Sequence, residues 1–313
     1  MKILITGIGG FVGKNISVAF KKNGHEIFGL SAQPGSAEFS WADLKAGTLP
    51  AVDAVIHLAG KAHDLKNRAG AQVYFDVNTE LTKKIFAWFL KSPAKHFYFF
   101  SSVKAAADFV SGGALTEDVV PAPVGPYGES KIAAESFLRE NFDFEKDESG
   151  GKRVYIIRPC MIHGPGNKGN LNLLYAVVRR GLPWPLGAFD NRRSFLAIEN
   201  LEFILAQMLE KSPPSGIYNV ADDEPLSTND LVRTICSVHG KTARVVCVPA
   251  GFLRLAASAG TLLHLPFNKD RLNKLTENYV VSNAKIKRAL GVEKLPVPVR
   301  DGIAATIKYF SEK

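Results

Sequence analysis

The sequence predicts an α/β chain, a doubly wound parallel sheet followed by a smaller mixed α/β C-terminal lobe, and three observations predict it. Short β-branched apolar runs alternate with helix-period segments through the first ~160 residues, the pattern of strands covered on both faces. A glycine-rich turn stands directly after the first run and opens the first helix. After Pro159 prolines and glycines thicken (Gly164-Pro165-Gly166, Pro183, Pro185, Gly187) and the elements become shorter and less regular.

Lys2–Thr6 reads as the first strand. Val12, Ile16, Ala19 and Phe20 then recur at helical spacing, and Lys21, Lys22 and Gly24 end that helix as a C-terminal signal should. Glu26–Leu30 and Ala51–Ala59 are expected strands, Val77–Lys91 a helix, His96–Ser102 a strand, Tyr127–Asn141 a helix and Arg153–Arg158 a strand. Further on, helices are expected at Asn170–Arg180, Asn200–Lys211, Thr228–His239, Phe252–Leu263, Ser282–Leu290 and Asp301–Phe310. Extended pieces are expected at Phe195–Ile198, Ile217–Val220 and Arg244–Val248. No repeat or low-complexity linker interrupts the chain, so the second lobe should pack on the first.

The composition bounds the function. With 313 residues, 46% hydrophobic and 22% charged, the chain can build a sizeable core, and wholesale disorder is excluded. The formal charge of +9 shows no run longer than Lys-Lys or Arg-Arg, which reads as a solvated surface with some anion sites and not as a nucleic-acid stripe. Cys160, Cys236 and Cys247 form no CxxC pair, so they read as reduced thiols, with neither a disulfide framework nor a metal site. No stretch approaches the ~20 apolar residues of a membrane span. The nearest, Gly251–Leu265, is broken by Arg254, and no membrane insertion is expected. Met1–Gly7 lacks a signal-peptide core, and the expected location is the cytoplasm.

Gly7, Gly10 and Gly13, with Gly9 between them, form GxxGxxG between strand and helix. That placement allows a tight turn, close approach of the backbone to a pyrophosphate, and free N–H groups at a helix N-terminus where the dipole favours anions. It is the arrangement of a Rossmann dinucleotide site, and the lysine of an ATPase P-loop is absent. The domain reading follows: 1–165 as dinucleotide-binding domain, with about 193–222 crossing back into it, and 166–192 plus 223–313 as a substrate-binding lobe. A carboxylate at the end of the second strand would hold the ribose 2′-OH of NAD. The stretch Phe28–Gln33 has none, and Ser31 is the polar side chain in place, which tips the cofactor from NAD(H) toward NADP(H). Asp43-Leu44 is a candidate contact for the adenine end, or else an ordinary exposed turn.

Tyr127 and Lys131 stand at i and i+4 on one helix face. A tyrosine with its ordinary pKa near ~10 exchanges protons poorly at neutral pH. An adjacent ammonium, aided by an oxidised nicotinamide, is expected to lower that value. Ser102, ending the strand His96–Ser102, would share the substrate oxygen. These are the parts of a hydride-transfer site: Tyr127 gives or takes the carbinol proton, Ser102 hydrogen-bonds the same oxygen, and Lys131 tunes Tyr127 and binds the nicotinamide ribose.

The strings Thr6–Gly13, His57-Leu58-Ala59-Gly60, Ser101-Ser102, Tyr127–Lys131 and Arg158–Gly166 together resemble the extended short-chain dehydrogenase/reductases of the NAD-dependent epimerase/dehydratase family, across essentially the whole chain. The resemblance implies that Gly7, Gly9, Gly10, Phe11, Val12 and Gly13 hold the cofactor, that Leu58, Ala59 and Gly60 line its diphosphate, and that Ser101 flanks it. It also implies that Asn78 supports the central helix and that Pro159, Met161 and Ile162 pass beside the nicotinamide. For the sugar nucleotide it implies Asn170 near the phosphates, Arg193 gripping the diphosphate and, more weakly, Arg271 as a second contact. A homodimer is expected by analogy, through two long helices including the one bearing Tyr127.

Within that family a 4,6-dehydratase carries an Asp-Glu pair after the position of Ser102, and here Val103-Lys104-Ala105 follows. The strings Ser101-Ser102-Val103-Lys104 and Asp190-Asn191-Arg192-Arg193-Ser194-Phe195, with the neutral Ser31 region, resemble a bacterial branch, which implies as the leading expectation an NADPH-dependent reductase of a UDP-4-keto-6-deoxy-HexNAc in surface polysaccharide biosynthesis. A UDP-hexose (UDP-glucose or UDP-GlcNAc) 4-epimerase is the close second. A non-catalytic nucleotide sensor is the third, and it would predict a broken Tyr/Lys pair.

Overall fold

The computed structural model describes residues 1–32, 37–61, 70–110, 112–145, 151–167, 169–265 and 267–312. Gln33, which closes the stretch searched for an acidic residue, lies outside them. The first half runs β1 (Lys2–Thr6), α1 (Phe11–Lys22), β2 (Glu26–Leu30), α2 (Trp41–Ala46), β3 (Ala54–His57), α3 (Ala71–Phe75), α4 (Leu81–Lys91), β4 (His96–Phe100), α5 (Val103–Ala106), α6 (Gly125–Asn141) and β5 (Arg153–Pro159). The second half runs β6 (Met161–His163), α7 (Asn170–Val178), β7 (Phe195–Ala197), α8 (Ile198–Lys211), β8 (Gly216–Val220), α9 (Thr228–Val238), α10 (Ala250–Leu262), α11 (Lys269–Thr276), α12 (Ala284–Leu290) and α13 (Val299–Ser311).

Six strands form a parallel sheet in the order β2-β1-β3-β4-β5-β8. Alternate residues of each strand feed two cores. Ile3, Ile5, Ile56, Tyr98 and Ile157 face α1, α8 and α12, whereas Leu4, Val55, Phe97, Phe99 and Ile156 face α4 and α6. Both faces are buried, which is why the strands read as unbroken apolar runs. The order reverses between β1 and β3, so the C-terminal ends of β1, β3, β4 and β5 open on one crevice. β8 joins the sheet as its sixth strand, and β7 pairs with β6 in a separate two-stranded sheet. A further core of Tyr175, Trp184, Leu231, Ile235, Leu253 and Ile303 lies among α7, α9, α10 and α13.

Several boundaries differ from expectation. β3 is shorter than expected, and just before it the Asp53 carboxylate accepts from the Lys2 amide at 2.6 Å. The helix expected from Val77 begins at Ala71 and passes through a π turn at Asp76–Glu80. The widened turn faces Asn78 and Thr79 inward, where both bond to Ser130 of α6. The strand expected to end at Ser102 stops at Phe100, because Ser102 caps α5 by accepting from the Lys104 amide at 3.2 Å. Arg244–Val248 makes only isolated bridges, Val245 with Trp184 and Cys247 with Leu186. Among the described residues no helix is long and apolar enough to cross a membrane.

Candidate active site

The crevice at the strand ends is a solvent-open cleft of about 260 Å³. Phe11, Val12, Leu58 and Gly60 line one side, and Ser101, Ser102, Tyr127, Lys131, Pro159 and Ile162 the other. Its floor is built from glycine. Gly7 has φ +70°, and a Cβ there would lie 2.8 Å from Ala59 backbone atoms. A Cβ on Gly13 would come within 2.5 Å of the Gly7 carbonyl oxygen. α1 starts at Gly10 without a side-chain cap, so its first N–H groups, at Phe11, Val12 and Gly13, are left for an outside acceptor. A side chain on Gly60 would meet Asn78 Oδ1 at 2.9 Å and Lys131 Nζ at 3.1 Å. This narrow, donor-rich cradle fits a dinucleotide diphosphate.

The loop after β3 is held from behind. Thr6 Oγ1 accepts from the Ala59 amide at 3.1 Å and lies 2.6 Å from His57 Nδ1, so its hydroxyl donates to that nitrogen. His57 Nε2 then donates to Thr82 Oγ1 at 2.9 Å, and Thr82 donates to the Asn78 carbonyl at 2.7 Å. Burial, and after it the Lys131 ammonium, push the His57 pKa down to about 3, so the ring is neutral. Asn78 Oδ1 accepts from the Lys61 amide, and its Nδ2 donates to the Lys61 carbonyl and to Ser130 Oγ. Asn78 thus positions the loop and α6 without lining the cleft.

At the reactive end Tyr127 and Ser102 line the cleft together, and the Ser102 hydroxyl favours the ionised phenol. A Cβ on Gly128 would sit 2.6 Å from the Lys104 carbonyl, so glycine there lets α6 approach α5 closely enough for the pair to meet. The expectation that Lys131 lowers the Tyr127 pKa needs correction. Burial raises it, the Ser102 hydroxyl opposes that rise, and Tyr74, whose ring centroid is 6.4 Å away, adds to it. The Lys131 ammonium instead donates to the Phe100 carbonyl at 2.8 Å. Burial depresses its own pKa to about 8, opposed by Glu135.

Behind Lys131 lies an arrangement that the sequence reading missed. Arg158, at the end of β5, donates from Nε to both Glu135 oxygens at 3.0 and 3.2 Å and from Nη2 to Oε2 at 2.5 Å. Ser101 Oγ donates to the same carboxylate. Arg158 and Glu135 are each 1% exposed. The i+4 spacing of Lys131 and Glu135 was the available signal.

Other expected contacts lie away from the cleft. Asp43 accepts from the Ser40 amide and hydroxyl, both at 2.7 Å, in a capping box, which lowers its pKa, and Leu44 packs on the α4/α6 core. Met161 turns to the core around Trp184, while its neighbour Ile162 faces the cleft. Ser31, half-buried at the end of β2, has its amide bonded to the Phe39 carbonyl at 3.0 Å. Asn170 opens α7 and is exposed, as is Arg271 on α11. Arg193 donates to the Lys274 carbonyl and pairs with Glu277 at 3.5 Å, so part of its guanidinium fork is taken by the end of α11. No cluster of metal-ligating side chains occurs among the described residues.

The family model for the NAD dependent epimerase/dehydratase family matches residues 3–221. The chain is 30% identical to a UDP-glucose 4-epimerase of Vibrio cholerae, over 98% of this chain and 95% of that one. It is 28% identical, over 91% and 84%, to the N-acetyl-alpha-D-glucosaminyl-diphospho-ditrans,octacis-undecaprenol 4-epimerase of Escherichia coli O157:H7. The fold resembles the Bordetella bronchiseptica enzyme WbmG in complex with NAD and UDP, with TM-score 0.74 and 19% identity over 99% and 94% of the two chains.

Proposed function

We propose that this chain, which belongs to the NAD dependent epimerase/dehydratase family, transfers a hydride at C4 of a nucleotide sugar. The observation that carries the reading is the gathering of Ser102, Tyr127 and Lys131 in the wall of one glycine-built cleft. When bound, the nicotinamide supplies the hydride donor or acceptor. Gly7, Gly10 and Gly13 and the start of α1 would hold its diphosphate, and Lys131 its ribose. Tyr127 Oη moves the proton of the C4 oxygen, and Ser102 Oγ fixes that oxygen by a second hydrogen bond. Arg193 would take the sugar diphosphate with the donors that Glu277 and Lys274 leave open.

The reaction we infer is reduction of a UDP-4-keto-6-deoxy-HexNAc with NADPH. The neutral end of β2, marked by Ser31, supports NADP(H), and Val103-Lys104-Ala105 after Ser102 lacks the acid pair of a dehydratase. A 4-epimerase of UDP-hexoses is the second reading, favoured by the full-length similarity to the Vibrio cholerae epimerase. The test is to mix the purified chain with a UDP-4-keto sugar and follow NADPH absorbance. Stoichiometric consumption supports reduction. Interconversion of UDP-hexose isomers without consumption replaces it with epimerisation, and nucleotide binding with neither reaction removes both.

A further inference from the structure

Helix α10 has two apolar sides. Leu253, Ala257 and Gly260 are buried against the protein. On the opposite side Phe252, Leu255 and Leu262 stand 65%, 69% and 79% exposed, and Leu263, just past the helix end, is 64% exposed. At 100° per residue these four residues form one stripe about 20 Å long. Leu265, two residues beyond Leu263, is 49% exposed. Scattered exposed leucines need no explanation, but a contiguous stripe on one helix does.

The charge around it is one-sided. Residues 241–274 contain Lys241, Arg244, Arg254, Lys269, Arg271 and Lys274 against the single acid Asp270, all exposed. This segment therefore carries +5 of the chain's formal +9. The basic excess, though it forms no long run, is thus concentrated in this segment.

We propose that the α10 face docks on an anionic lipid bilayer, with the helix lying in the interface plane. An exposed apolar stripe within a basic segment is the composition of a peripheral interfacial helix, and cations near an anionic leaflet each add attraction. A second copy fits less well, because a twofold contact through this face would set +5 against +5. The contact is peripheral, since α10 is too short to span. It leaves the cleft chemistry untouched and stands or falls separately from the proposed reaction.

The experiment is cosedimentation of the full chain with vesicles of phosphatidylcholine alone, and of phosphatidylcholine mixed with phosphatidylglycerol, at low and high salt. The wild type should pellet with the mixed vesicles and be released by salt. Leu255→Glu/Leu262→Glu should weaken partitioning by at least about tenfold while binding NADPH normally. Arg254→Gln/Lys269→Gln should weaken it by about fivefold per charge removed, on mixed vesicles only. The proposal is overturned if the wild type stays in the supernatant with mixed vesicles, or if the Leu255→Glu/Leu262→Glu variant pellets equally well. It is also overturned if sedimentation velocity finds a dimer that this variant dissolves while vesicles bind nothing, which would assign the face to a second copy.

Discussion

Replacing Glu135 with alanine tests how the site is held together. Its carboxylate accepts three N–H bonds from Arg158 and the hydroxyl of Ser101, and both ions are 1% exposed. Arg158 Nη1 already lacks a partner among the described residues, so losing Glu135 strands a guanidinium in the sheet core. An uncompensated buried charge of this kind costs about 3–5 kcal/mol. Equilibrium urea unfolding should show a loss of that size. Glu135→Leu/Arg158→Met, which removes both charges into similar volume, should recover most of it. A cost for Glu135→Ala below about 1 kcal/mol, the range of a solvated pair, would refute the reasoning. So would a double variant as unstable as the single one. Because Glu135 also holds up the Lys131 pKa, the single variant should weaken cofactor binding as well.

Tyr127→Phe should abolish turnover, by about 100-fold or more, with cofactor affinity nearly unchanged in a fluorescence titration; lost binding would mean a different role for the phenol. Lys131 titrates near 8 in the folded chain against 10.5 unfolded, so the unfolded chain binds more protons between those values and stability rises with pH there. Relative to Lys131→Met, the ligand-free wild type should gain about 3 kcal/mol between pH 8 and 10.5, and a flat difference would contradict the burial. Gly13→Ala forces a Cβ against the Gly7 carbonyl and Ile8 Cα. It should cost about 1–3 kcal/mol of stability and weaken cofactor binding about tenfold, and wild-type affinity in calorimetry would show that α1 need not sit so close.

What the sequence made legible was local. β4, His-Phe-Tyr-Phe-Phe, reads as a buried strand because every position faces one of two cores. The glycine loop is legible because Gly7 and Gly13 leave no room for Cβ atoms. What the sequence left open is which partners each side chain takes. Asp43 looks like a free turn carboxylate until Ser40 and Thr48 are seen to occupy it. Asn78 looks like a helix residue until the π turn points it at Lys61 and Ser130. For Arg193 the motif marks a cation, but its engagement with Glu277 appears only after folding.

The largest divergence concerns the sign of a pKa shift, and it bears on the reaction. Spacing put an ammonium one turn from the phenol, and proximity alone would have lowered the phenol's pKa. In the fold the same burial acts on both groups in opposite senses, discouraging the phenolate and the ammonium alike. Lys131 spends a donor on the Phe100 carbonyl, so its charge is drawn toward the sheet and away from Tyr127. The resting site therefore holds the protonated phenol beside Ser102. A reductase starts each turnover by giving a proton from that group, whereas oxidation of a C4 hydroxyl must first remove one. The electrostatics of the ligand-free cleft thus keep that proton on the phenol. They also predict that activity in the oxidative direction rises with pH more steeply than in the reductive direction, and parallel profiles would remove this argument.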